Sequence, residues 1–250
     1  TINFVINKID TLYTLQISDD DFLIMEGLNS SIKFLDKNNN YIGCQGRGLL
    51  GKIFFKKNKD DKNTCSGPFF YRMGNLIQNT PQSRIYNYID NNMNILFAMF
   101  HSSIFKELWQ LDTLSDNTFN NDFIIATRAA LIGKIGFVNK LYCIHIVNAS
   151  IINDFSIENF FSNKSHQNFD LAVNEVINFI NHKKILIKNK NLNEFSESIF
   201  IRYIHHKFNS QYKIYFKNQF SNKIFFLYKN LKIYFFYKFF FITTDYKSFK

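Results

Sequence analysis

The sequence predicts an α/β fold: a sheet with flanking helices, followed by a helical C-terminal region. Three observations carry this expectation. Short apolar-alternating runs of strand length recur between stretches of helical periodicity as far as Val147. Gly and Pro punctuate that part of the chain and vanish completely beyond about Ser150. Hydrophobic residues make up 46% of the 250 residues, enough to bury a substantial core. Residues 1–150 are therefore read as an α/β domain, and residues 151–250 as a helical, basic, aromatic-rich region.

The elements follow in order. Leu12 to Ser18 (LYTLQIS) alternates like a strand and ends directly at Asp19-Asp20-Asp21. Met25 to Asp36 has apolar residues at Leu28, Ile32 and Leu35, which is helical spacing. After a turn at residues 37–40, Tyr41 to Gln45 reads as a strand and Gly46-Arg47-Gly48 as a glycine-rich loop. Lys56 to Pro81 is polar and holds both prolines, so it reads as a long surface loop. Arg84 to Asn92 is expected to be helical, Asn94 to His101 a buried strand and Ile104 to Leu111 a helix. Asn120-Asn121-Asp122 marks a helix start and Gly133 its stop. Phe137-Val138 and Leu141 to Val147 give two more short strands. Val173, Ile177 and Ile180 open a remainder of three or four helices.

Charge is unevenly spread. Residues 1–125 carry 12 Lys and Arg against 13 Asp and Glu, whereas residues 126–250 carry 18 against 7. The excess speaks to partners of the second half and not to fold. Three cysteines with no paired spacing fit free thiols in a reducing compartment better than a disulfide framework or a zinc site. The chain opens at Thr1 with no secretory signal, and a cytoplasmic location is expected. Heavy use of Asn, Lys, Ile and Phe is a general bias, so no single one of them is a functional signal by itself.

The aspartate triplet carries the chemistry. Hard cations such as Mg²⁺ or Mn²⁺ take oxygen ligands and neutralise charge developing on a departing diphosphate. Asp19 and Asp21, at i and i+2 where a strand ends, can reach one metal and a ribose together. Ligands bind outside the carboxyl ends of strands in open α/β sheets. The plain alternative is that the triplet only forms a turn.

Two segments resemble a known family. TLYTLQISDDDFLIMEGLNSSIKFLDKNNNYIGCQGR is similar to the stretch of bacterial family 2-type GT-A glycosyltransferases in which a strand runs into a DxD motif, then a helix, then a strand. NDFIIATRAALIGKIGFVNKLYCIHIVNAS resembles the acidic helix start, the helix ending in Gly-Lys and the closing Leu-Tyr…His…Asn…Ser run. Together they span roughly residues 8–150. The resemblance implies an incomplete GT-A (Rossmann-like) sheet, with Asp19 and Asp21 on metal and nucleotide; Asp20 has the alternate face of the triplet, and the glycine-rich turn near the donor site makes Arg47 a phosphate-contact candidate. It implies His145 on metal or phosphate, and Asp122 as the base that deprotonates the acceptor hydroxyl. Asn121 stands where the family prefers Glu. The strands that precede the DxD strand in the family, and hold the nucleotide base, have almost no counterpart here, so the chain reads as N-terminally truncated.

The implied function is metal-dependent, inverting transfer of a sugar from a nucleotide-sugar donor to a glycan or lipid-linked acceptor, in cell-surface polysaccharide synthesis. The stretch Ile224 to Ile242 interleaves aromatics with Lys229, Lys232 and Lys238. It is too charged to span a bilayer, but it fits an interfacial helix on the inner, anionic face of the cytoplasmic membrane. An amphipathic helix covering the protein or a partner fits as well. A non-catalytic, basic, membrane- or partner-binding remnant stays open as the alternative function. Nucleic-acid binding is disfavoured because no DNA or RNA motif accompanies the charge. Arg84 is a further phosphate-contact candidate, Trp109 reads as packing, and His101, His205 and His206 lack metal-ligand spacing.

Overall fold

The computed structural model describes residues 2–54, 64–71, 73–110, 118–148, 165–187 and 191–219. Among these the helices are α1 (Ile2–Ile6), α2 (Met25–Lys37), α3 (Pro81–Asp90), α4 (Ser102–Trp109), α5 (Thr118–Ile132), α6 (Ser165–His182) and α7 (Leu192–Gln219). The strands are β1 (Tyr13–Thr14), β2 (Phe22–Leu23), β3 (Tyr41–Phe54), β4 (Thr64–Tyr71), β5 (Met99–His101) and β6 (Lys134–Asn148). The result is a mixed α/β fold with a partial sheet of order β1-β5-β3-β6-β2, from which β4 branches by pairing with β3. Only β3 and β6 run parallel, and every other pairing is antiparallel.

The two faces of the sheet separate at β5. Met99 and Phe100 are neighbours on one strand, so they point to opposite faces. Met99 joins a small cluster under α2 with Leu28, Leu35, Cys44, Tyr142 and Cys143. Phe100 joins the large cluster built by the other helices. The sheet is thus sandwiched, with α2 on one side. That large cluster takes Phe123 to Leu131 from α5 together with Ala172 to Ile204 from α6 and α7. The helical region therefore shares a core with the residues before position 150. A buried ion pair fastens it there. Arg128 Nη2 lies 2.6 Å from Glu175 Oε2, each side chain 5% exposed. The Arg128 guanidinium also sits 4.7 Å from the Phe179 ring centroid.

Several expectations need correction. The strand expected over Leu12 to Ser18 is only Tyr13–Thr14. It lies on the sheet edge, and its partner β5 is three residues long, so the ladder has nothing further to pair with. Of Asn94 to His101 only Met99–His101 is strand, with a turn at residues 96–97 before it. The long loop expected over Lys56 to Pro81 contains β4. Gly67-Pro68 hid it: the register slips between Leu50↔Phe69 and Lys52↔Ser66, which leaves Pro68 outside the ladder of an edge strand. Gly46-Arg47-Gly48 is not a loop but the middle of β3. A Cβ on Gly46 would lie 2.6 Å from the Lys140 carbonyl, so glycine is what lets the neighbouring backbone approach. Phe137-Val138 and Leu141 to Val147 belong to one strand, β6, whose register against β3 is irregular around Arg47.

The helices α2, α3 and α4 appear close to their expected bounds. Thr80 caps α3 through its hydroxyl, with Pro81 at the first position. The charged aromatic stretch Ile224 to Ile242 lies outside the described residues. Among the described residues no helix is long and apolar enough to cross a membrane.

Candidate active site

The site starts from a register. β2 pairs with β6 as Phe22↔Ile144 and Leu23↔Cys143. One step further along the same ladder, Asp21 stands opposite His145. Its carboxylate completes what the strand begins. Oδ1 accepts the Ile146 N–H at 2.9 Å and lies 2.6 Å from His145 Nδ1, while Oδ2 lies 2.8 Å from the same nitrogen. The Asp21 side chain is 2% exposed and the His145 ring 20%. An ionised carboxylate only accepts, so Nδ1 carries the shared hydrogen and Nε2 faces away on the far side of the ring.

Asp19 and Asp20 do something different. The Asp21 N–H bonds to the Ser18 carbonyl at 3.2 Å, closing a turn with Asp19 and Asp20 at its exposed tip. Among the described residues neither carboxylate makes a hydrogen bond or ion pair. The turn-forming role fits these two, while Asp21 alone folds inward.

Aromatic rings pack around His145. The Tyr71 ring of β4 stacks on it at 5.0 Å with a 28° interplanar angle, and the Phe97 ring lies at 5.4 Å. The Asn94 side-chain amide donates to the Tyr71 hydroxyl. Tyr142 donates from its hydroxyl to the Phe97 carbonyl at 2.9 Å, tying that loop to β6. Burial raises the Cys143 thiol to about 12, with the Asp21 charge adding to it.

Asp122 sits in the second turn of α5, because the helix begins at Thr118, ahead of the expected Asn120-Asn121-Asp122 start. It is therefore not an N-cap. Its charge reaches three phenols from three different elements. Burial comes first in pushing Tyr71, Tyr88 and Tyr203 above the ordinary tyrosine range, and Asp122 adds to each. Tyr88 and Tyr203 stack at 6.1 Å, and Tyr203 lies 5.0 Å from the ring of Phe123, the residue after Asp122. The Tyr71 phenol feels the charges of both Asp21 and Asp122.

Arg47 is exposed on β3, opposite Leu141 of β6, whereas His145 pairs with Leu50. Arg84 is no phosphate contact. It is buried and donates to the carbonyls of Ala130 (2.7 Å), Leu131 (2.9 Å) and Gln78 (3.0 Å), closing the C-terminal end of α5. Trp109 packs in the core, as expected, with its ring 6.1 Å from Phe105. Among the described residues no three His, Cys, Asp or Glu side chains gather as a metal cluster. The residues that sequence reasoning missed are Tyr71, Phe97 and Asn94. Tyr71 ends the aromatic run Phe69-Phe70-Tyr71, a strand signal that the preceding Gly67-Pro68 obscured.

No family model and no curated protein matches the chain. Among solved structures it is similar to S. aureus TarS 1-349, with a TM-score of 0.44 and 13% identity, covering 89% of this chain and 53% of that one. It is similar also to S. aureus TarS, with a TM-score of 0.43 and 15% identity, covering 89% of this chain and 32% of that one. The chain thus spans about half of the first structure and a third of the second.

Proposed function

We propose that the chain is a GT-A glycosyltransferase, metal-dependent and inverting. In this reading it moves a sugar from a nucleotide-sugar donor to a glycan or lipid-linked acceptor of a cell-surface polysaccharide, at the inner face of the cytoplasmic membrane. The observation that carries the reading is the Asp21–His145 pair, seated where the resemblance puts two ligands from opposite ends of its span.

The donor set fits the metal. His145 offers Nε2 with Asp21 as the hydrogen-bond partner behind the ring, Asp19 would add a carboxylate from the exposed turn, and an ion such as Mg²⁺ characteristically takes few protein ligands and completes its shell with waters and substrate phosphates. When bound, the ion would neutralise charge growing on the departing diphosphate. Asp19 and Asp20 offer exposed oxygens to the donor from the turn, and Arg47 offers a cation. Asp122 takes the proton from the acceptor hydroxyl as that oxygen bonds to the anomeric carbon. The bond from that carbon to the diphosphate oxygen breaks, and the nucleoside diphosphate leaves with its electron pair. The basic aromatic stretch around Lys229, Lys232 and Lys238 supplies attraction to an anionic surface.

The test is release of nucleoside diphosphate from a panel of UDP-, GDP- and dTDP-sugars with Mn²⁺ present. Metal-dependent release that Asp21→Ala abolishes supports the reading. No release from any donor, with retention on anionic vesicles, supports instead the non-catalytic membrane-binding alternative.

A further inference from the structure

We propose that Tyr71 is a positioning residue of this site, clamping the His145 ring so that Nδ1 stays on Asp21 and Nε2 is presented to a ligand. The inference rests on the reading of Asp21 and His145 as ligand-binding residues, and it adds a residue that no motif supplied. An imidazole hydrogen-bonded on one edge can still swing about χ1 and χ2, and a packed ring against its face removes that freedom.

Two rings hold the imidazole. Tyr71 is stacked at 5.0 Å and 28°, and Phe97 lies at 5.4 Å and 45°. The two rings touch each other, with centroids 6.2 Å apart. Each is itself fixed. The Tyr71 hydroxyl accepts from the Asn94 amide, and Asn94 in turn accepts the Leu96 N–H at 3.0 Å. The Phe97 carbonyl accepts the Tyr142 hydroxyl. The chain of contacts thus runs from the 94–97 loop through Tyr71 to His145 and ends on Asp21. The face of Tyr71 is laid on the histidine that pairs with the buried aspartate, which is the contact that fixes the ring plane.

The experiment uses this chain labelled with ¹⁵N and reads the His145 ring nitrogens in long-range ¹H–¹⁵N spectra, with His145→Gln to assign the signals. Wild type is expected to show a single state with the hydrogen on Nδ1. Tyr71→Phe keeps the ring and should keep that state. Tyr71→Leu should lose it, giving exchange between tautomers, and should weaken Mn²⁺ binding by roughly 10-fold in water-proton relaxation. A folded Tyr71→Leu with the wild-type His145 spectrum overturns the inference. Loss of the state in Tyr71→Phe overturns it too, since the hydroxyl and not the ring would then be in control. Should Tyr71→Leu fail to fold, Phe97→Leu removes the second ring and must produce the same mixed state. If wild type holds no Mn²⁺ yet the spectra behave as described, the positioning role stands and the metal reading falls.

Discussion

The Asp21 carboxylate turns both oxygens toward His145 Nδ1, at 2.6 and 2.8 Å, across the point where β2 leaves β6. These residues lie 124 positions apart in the chain. Asp21→Asn keeps an oxygen that can accept from Nδ1 but puts an N–H donor where Oδ2 lies 2.8 Å from the same nitrogen and removes the charge, so the bond that holds the ring is weakened. Donor turnover should fall by roughly 10- to 100-fold or more, the range for losing a partner that orients a ligand. Nucleoside diphosphate release measured beside wild type checks this.

Asp122→Asn should behave differently. The carboxylate is proposed to act on the acceptor, so turnover should drop by about 10²- to 10⁴-fold while donor binding is retained. Donor affinity by calorimetry, alongside the rate, separates the two roles. Equal loss of binding and turnover would place Asp122 on the donor side.

What the sequence disclosed follows from what each signal depends on. The helix α2 was readable because apolar spacing is a local property, and α5 was readable with its stop at Gly133, though it starts at Thr118, ahead of the residues that marked its start. The Asp21–His145 pair was readable only through motif resemblance, since no periodicity connects the two positions. The short edge strands and β4 were misread because pairing decides them: β1 is cut short by its three-residue partner, and Pro68 is tolerated because it sits at a register slip. Tyr71 was lost with β4. Arg84 was misread because an isolated Arg carries no local mark of whether it meets a phosphate or the carbonyls of Ala130 and Leu131.

Gly27→Ala tests how α2 is seated on the strand that bears His145. Alanine improves helix propensity by about 1 kcal/mol. Its Cβ, however, would lie 2.3 Å from the Leu141 carbonyl oxygen and 2.5 Å from Tyr142 Cα, both backbone atoms with no rotamer to yield. The steric term wins, and a net loss of roughly 1–3 kcal/mol is expected in chemical denaturation.

Glu175→Leu leaves the Arg128 guanidinium buried without its carboxylate. Breaking such a pair costs about 3–5 kcal/mol, so a lowered denaturation midpoint is expected. Because Arg128 lies on α5 with Asp122, loosened packing of α6 should also be visible as faster amide exchange along α5.

Alkali should unfold the protein early. Burial raises the Cys44 thiol to about 11 and the Cys143 thiol to about 12, from an ordinary value of 9.0. Between pH 9 and 12 the unfolded thiols have lost protons that the folded ones keep, so the unfolded state binds fewer and stability falls as pH rises. The buried phenols of Tyr88 and Tyr203 act in the same direction at higher pH. Denaturation midpoints across this range should decline, and Cys44→Ala with Cys143→Ala should flatten the decline near its onset.

The most direct test of the central claim is a Mn²⁺ titration of this chain followed by electron paramagnetic resonance. Wild type should remove the free-ion signal in proportion to protein, and Asp21→Asn and His145→Gln should each restore it. A wild-type protein that leaves the signal untouched, or variants that hold Mn²⁺ as well as wild type does, would contradict the assignment of Asp21 and His145 as the metal-binding heart of the site.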